Sequence, residues 1–241
     1  MIPKSKRELN VVIMIALILL SSASFSFALP TVDEIKEGTA TITVDESGTN
    51  MTINASNNAI INYSSFNINE NESLNVMLPD ASSQILNRVT GSSMSNIYGS
   101  LTCNGLFVLV NVNGINVGPN AHIDVARLIL STRDISDSDF LSANYRFQKL
   151  SPEQADALLL NAGNINIREG GFGVLISGAI ENKGVIIAPM GKIVLAGCNA
   201  VKLDIAGNGL ISIAIEEGSA KEVLDYQGRP ITDQIKNTGT L

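Results

Sequence analysis

From Gly38 onward the apolar residues come in short runs, ATITV, MTINA and AIINY, each about five residues long and separated by Gly, Ser or Asn. Alternation over so few residues, bounded by turn formers, predicts strands with one buried face. The run LFVLV, Leu106 to Val110, is apolar throughout and predicts a central parallel strand buried on both sides. Equivalent turn points recur at roughly 20 residues, near the rung size of a three-sided β-helix. The pattern therefore predicts an all-β chain: a right-handed parallel β-helix (solenoid) with an N-terminal β cap and small extra-helical insertions. An open solenoid end exposes unpaired backbone groups, and residues 34–58 are the candidate cap.

The rhythm breaks between Asp134 and Gly163. SDSDFL from Ser136 predicts one helical turn. Ser151-Pro152-Glu153-Gln154 followed by ADALLL has the N-cap and first-turn residues of a helix over 152–160, with a surface loop as the alternative. Coiling is expected to resume with GNINI, FGVLISGAI, KGVIIAP, GKIVLAG, AVKLDIAG and GLISIAI, each pair of strands joined at a tight corner where Gly supplies positive φ. Near the C-terminus a short helix around Ala220 to Leu224 and a turn at Gln227-Gly228-Arg229-Pro230 are expected.

Composition narrows this picture. With 241 residues, no Trp and only 5% aromatics, the core has to be built from Ile, Val, Leu and Ala in narrow layers, which suits stacked coils. Lys4, Lys6 and Arg7 precede an apolar run from Val11 to Leu20, and small residues at Ser26 and Ala28 complete a cleavage pattern. The run is short for a membrane span, which needs roughly 20 residues. Residues 1–28 thus read as a secretory signal cleaved after Ala28, with an uncleaved anchor as the alternative. Its removal takes three basic residues and Glu8 from a chain of net charge −7, leaving about −9. An acidic body without a basic stripe argues against nucleic acid as a partner. Cys103 and Cys198 permit one disulfide in an oxidising compartment, but both sit among apolar strand residues, which favours buried free thiols.

Three phrases carry a resemblance: AIINYSSFNI, then LNRVTG, then GLFVLVNVNGINVGPNAHIDVARLILST ending at Thr132. In this order they resemble the secretion domain of filamentous haemagglutinin-like exoproteins, the passengers of bacterial two-partner secretion. Val112 stands where that family usually has the Pro of an NPNG turn, and Ala126-Arg127 replaces its Gly-Gly. LDIAGNGLISIAIEEGSA, Leu203 to Ala220, is similar to family wording further on, and NTGTL in relatives opens another rung. The resemblance implies entry through the general secretion machinery, then a cognate outer-membrane β-barrel transporter with periplasmic repeat domains, and a secreted or cell-surface location. It also implies that Asn87, Arg88 and Val89, with Asn111, Asn113, Gly114 and Ile115, belong to the signal the transporter recognises or that starts folding at its exit. The division expected is a signal peptide over 1–28, the secretion domain over 29–215 and the start of a passenger β-helix over 216–241. The usual passenger is an adhesin or haemagglutinin that could take a host or bacterial surface glycan or receptor as a further partner. Haemolysins and contact-dependent inhibition toxins begin with similar domains.

Chemistry offers little beside this. His122 is the sole histidine, with Asp124 on the same strand face, and no Gly-x-Ser-x-Gly elbow accompanies it. The enzyme-class rival is a β-helix polysaccharide lyase or hydrolase, which needs two carboxylates roughly 5 to 9.5 Å apart across a cleft. Asp134, Asp137 and Asp139 are candidates, against the alternative of a solvated polar turn. The same cluster lacks the Gly and distal Glu of a calcium loop. No catalytic residue, metal site or cofactor is expected.

Overall fold

The computed structural model describes residues 28–205, 211–218, 223–225, 228–231 and 233–241; of the expected signal segment 1–28, residues 1–27 lie outside them. The chain is a parallel β-helix with three sides, the right-handed solenoid that the strand pattern predicts. The first side stacks β3 (Asn50–Ala55), β5 (Ser73–Met77), the first halves of β8 (Ser100–Val110) and β10 (His122–Ser131), β13 (Asn164–Ile167) and β16 (Val185–Ile187). The second stacks β4 (Ala59–Ser65), β6 (Gln84–Val89), the second halves of β8 and β10, β14 (Phe172–Ser177) and the first half of β17 (Lys192–Ile205). The third is made of β7 (Ser95–Ile97), β9 (Ile115–Val117), β12 (Leu158–Asn161), β15 (Ala179–Asn182) and β21 (Ile235–Asn237). Ser100 pairs with His122 and Asn164 with Val185, so uninterrupted rungs take 22 and 21 residues.

Two antiparallel strands close the N-terminal end. β1 (Thr31–Glu37) pairs with β4, and β2 (Ala40–Val44) pairs with β3. The cap is therefore shorter than the 34–58 expected from the sequence. Residues 50–55 already belong to the first rung, because their alternation has to feed the tube interior, where Met51 and Ile53 are buried.

The tube's second side is buried on both faces, which explains the unbroken run of apolar residues in LFVLV. Phe107 and Leu109 point into the main core, while Leu106, Val108 and Val110 belong to a second core on the outside. That outer core is covered by material that leaves the tube. Ser136 caps the helix α1 (Asp137–Leu141), accepting from Asp139 N at 3.1 Å, as the sequence predicts. β11 (Tyr145–Gln148), the second half of β17 and β18 (Ile211–Gly218) then form an antiparallel sheet. Phe140, Tyr145, Phe147, Val201 and Leu203 from these elements pack on the tube. A hairpin of β19 (Val223–Leu224) and β20 (Pro230–Ile231) follows, with Gly228 at φ 74° in its turn.

Three expectations are corrected here. Residues 152–160 hold no helix: Ser151 to Gln154 form a single turn closed by Gln154 N to Ser151 O at 3.1 Å, and 158–161 is strand β12. The register of the third side demands Leu159 in the core between Ile115 and Ile180, and this outweighs the local capping signal. Of AVKLDIAG and GLISIAI, the described residues 200–205 and 211–215 are not rungs but an antiparallel pair outside the tube, since period-two alternation serves either role. Of the C-terminal helix expected at Ala220 to Leu224, residues 220–222 lie outside the described residues and 223–224 are strand.

Corners use glycine more for close approach than for positive φ. A Cβ on Gly184 would stand 2.1 Å from the Gly163 carbonyl oxygen, and one on Gly239 would stand 2.0 Å from that of Gly184. Beside this column runs a ladder of amides, Asn161 to Asn182 at 2.8 Å and Asn182 to Asn237 at 2.7 Å. The NAG, NKG and NTG phrases are thus one repeated corner.

Candidate functional site

The two sequence motifs meet at one corner of the tube, where the second side turns into the third. After β6 the chain turns through Thr90 to Met94 into β7, and one rung later Asn111 to Gly114 turn from β8 into β9. Asn113 Nδ2 donates to the Gly91 carbonyl at 2.8 Å, joining the upper turn to the lower. Asn111 is fully buried and gives Nδ2 to Ser93 O (3.0 Å) and Ser95 Oγ (2.9 Å), while its Oδ1 accepts from Asn113 N at 2.9 Å. Gly114 N closes the turn on Asn111 O at 3.1 Å, and Gly114 itself has φ 120°, a backbone that L side chains rarely adopt. Ile115 is fully buried in the core beside Ser95 and Leu159.

The other motif is equally structural. Asn87 is fully buried, accepting from the Tyr63 hydroxyl at 2.9 Å and donating to Val108 O at 3.1 Å, so it stitches three consecutive rungs. Val89 lies in the main core. Arg88 points outward and is clamped by the insertion: Nε reaches Asp134 Oδ1 at 2.9 Å, Nη1 reaches Asp137 Oδ1 at 2.7 Å, and Nη2 reaches the Ile135 carbonyl at 2.5 Å. Burial works against its charge, but the two carboxylates prevail and hold its pKa above the ordinary arginine value.

Of the seven residues the sequence singles out, only Asn113 presents an exposed side chain. Around it lies a cleft of about 380 Å³ lined by Thr90, Ser92, Val110, Val112 and Leu150, with Arg88 and Asp134 at one wall. Leu150 is 65% exposed. A second cleft of similar size shares Ser92, Val112 and Asn113 and runs on to Gln154 and Leu158. The groove thus has apolar walls, a polar rim and the stacked turns as its floor.

The insertion that forms the opposite bank is anchored by a group that sequence reasoning missed. Arg133, at the exit from the tube, is fully buried. It donates to Cys198 O at 2.8 Å and Asp156 Oδ1 at 2.5 Å, and Lys149 Nζ reaches the same Asp156 oxygen at 2.9 Å. Burial lowers the Arg133 pKa despite the neighbouring carboxylate. Asp156 lies 23 residues from Arg133, and no local pattern announces their pairing.

The residues weighed for chemistry are held in local polar contacts. Asp134 and Asp137 are tied to Arg88, and Asp139 accepts from Asn144 Nδ2 at 2.6 Å. His122 is exposed, its Nδ1 against Asn120 O at 2.9 Å, and Asp124 faces Asn166 and Arg168. Cys103 and Cys198 are free and buried, with burial pushing both thiols up to about 11.

Comparison with known proteins agrees with the geometry. The family model of the TPS secretion domain matches residues 28–240. A heme/hemopexin-binding protein of Haemophilus influenzae Rd is 31% identical over 230 residues, which is 92% of this chain and 25% of that protein. A second Haemophilus influenzae heme/hemopexin-binding protein is 30% identical over 149 residues, 61% of this chain and 16% of its own length. The chain therefore spans a quarter or less of these relatives. Among solved structures, the secretion domain of HMW1 from Haemophilus influenzae superposes with a TM-score of 0.71 at 32% identity, covering 80% of this chain and 50% of that one. A β-helix with its two motifs stacked at one corner, matched along nearly its whole length, belongs to the TPS secretion domain family of exported exoproteins.

Proposed function

We propose that the groove at the stacked corner is the surface by which this secretion domain engages its cognate outer-membrane transporter, and that the buried motif residues serve to build that surface. The observation that carries the reading is the Asn113 to Gly91 hydrogen bond. It unites the only exposed motif side chain with the turn of the other motif. Asn87, Val89, Asn111, Gly114 and Ile115 fix the shape, and Arg88 fixes the bank opposite.

In this reading residues 1–28 deliver the chain to the periplasm as a cleaved signal. An extended N-terminal segment there adds to strands of the transporter's periplasmic repeat domains by edge pairing. Outside the cell the rungs that follow the stacked corner form on it in turn, since each new coil buries its apolar face only on the preceding one. Forward folding disfavours backward slippage. The passenger is read as an adhesin from the family resemblance, and the chain as non-enzymatic, a reading supported by the ion pairs that tie the candidate carboxylates Asp134 and Asp137 to Arg88.

The test is export of the chain with its transporter, comparing wild type with Asn113→Lys and with Ser92→Lys. Both positions are exposed. Both variants are expected to fold, shown by unchanged circular dichroism and a cooperative thermal transition, yet to accumulate in the periplasm. Folded variants exported at the wild-type rate would remove the groove from the account.

A further inference from the structure

Glu72 is a buried carboxylate at the mouth of the N-terminal cap. It is 4% exposed. Its Oε2 accepts from Asn69 N at 2.8 Å, and its Oε1 accepts from Ala28 N at 2.7 Å, across 44 residues of chain. No ion pair of Glu72 is present among the described residues. An ionised carboxylate held away from water by two neutral donors is costly, and a cation in that position would offset the cost.

The donor it does have lies where the sequence places the processing site. Ala28 ends the small-residue pattern of the leader, Leu29 packs against the main core and Pro30 is buried. The mature chain therefore begins one residue beyond the Glu72 contact. Cleavage after Ala28 removes one amide and creates an α-ammonium on Leu29, one residue along, where neighbouring Cα atoms are about 3.8 Å apart.

We propose that Glu72 is the receptor for the processed amino terminus: the α-ammonium of Leu29 replaces the Ala28 amide on the carboxylate and locks the cap onto the first rungs. The proposal rests on the leader reading given above. It converts a hydrogen bond from a neutral amide into one from an ammonium, so that the carboxylate gains a counter-charge as well as a donor. It also gives the cap a chemical dependence on processing, since an acetylated or extended terminus cannot supply the charge. The nearby titratable groups are Glu70 of the same turn, which accepts from Asn120, and His122, whose strand pairs with Ser100 beside Glu72. An unpaired α-amino group titrates near 7.7–8.0. A partnered amine has a raised folded-state pKa. Its contribution is thus fully present below about pH 7.7 and is lost as pH rises through the folded value.

The experiment uses the exported, processed protein. Intact mass first locates the terminus: a start at Leu29 upholds the leader reading, and any start upstream of Ser26 refutes that reading and the proposal with it. The rate of acylation of the α-amine by a water-soluble activated ester is then followed from pH 6.5 to 10 in wild type and Glu72→Gln. Wild type is expected to react about tenfold more slowly than the variant at pH 6.5, the effect of roughly one pKa unit, with its midpoint above pH 8.5. A Leu29 terminus that reacts with an ordinary midpoint near pH 8 overturns the proposal while leaving the leader reading intact. This wild-type midpoint decides the matter even where Glu72→Gln fails to fold.

Discussion

Replacing Asn87 with alanine measures how far the NRVTG motif is an internal staple rather than a contact surface. Asn87 and Tyr63 are both fully buried and bonded at 2.9 Å, and Asn87 also donates to Val108 O. Asn87→Ala strands the Tyr63 hydroxyl, which costs about 1–3 kcal/mol as a buried unmade bond, and removing the amide adds about 1 kcal/mol for the second lost hydrogen bond. The expected loss is therefore about 3 kcal/mol. Tyr63→Phe removes the hydroxyl but strands Asn87 Oδ1, for about 1–2 kcal/mol. In the double variant neither orphan exists, so it should be about 1–2 kcal/mol more stable than the sum of the single losses implies. Guanidinium unfolding of the purified chains, read by circular dichroism with m held as a check on cooperativity, gives all four corners of the cycle. Single losses that add to within about 0.5 kcal/mol would refute the reasoning, because the bond would then be absent in solution and Asn87 free for a partner.

Further expectations follow from the same corner. Val112 occupies the second position of the Asn111 to Gly114 turn, the position where proline is favoured, and Val112→Pro should raise stability by about 0.4–1 kcal/mol in the same unfolding assay. Arg88→Met should cost about 2–3 kcal/mol, less than a fully buried pair because Asp137 is 33% exposed. It should also make the 134–157 insertion the first site of limited proteolysis. Cys103 and Cys198, with thiols near 11 and no solvent access, should react with an aromatic disulfide reagent at pH 8 only as fast as the chain unfolds; rapid labelling of the native protein would contradict their burial.

What the sequence discloses here is whatever depends on near neighbours in the chain. Alternation in MTINA and AIINY announces strands, the apolar run at Leu106 to Val110 announces a side covered on both faces, and Ser136 announces its helix through a bond three residues away. What covers that side is not legible. The strands over 200–205 and 211–218 alternate like any rung, and only their antiparallel contacts with each other and with β11 place them outside the tube. Leu158 to Asn161 likewise follow a sound N-cap signal, yet the stack between β9 and β15 claims them as strand. The motif residues were visible as words, but which of them face solvent was not, since burial of Asn87 and Asn111 depends on partners one rung away.

The most direct measurement of the central claim is delivery of an inert periplasmic reporter fused after residue 241, with and without the cognate transporter. The account predicts reporter in the medium or at the cell surface only when the transporter is present, and periplasmic retention when residues 29–135 are deleted. Delivery that persists without those residues, or without the transporter, would contradict it.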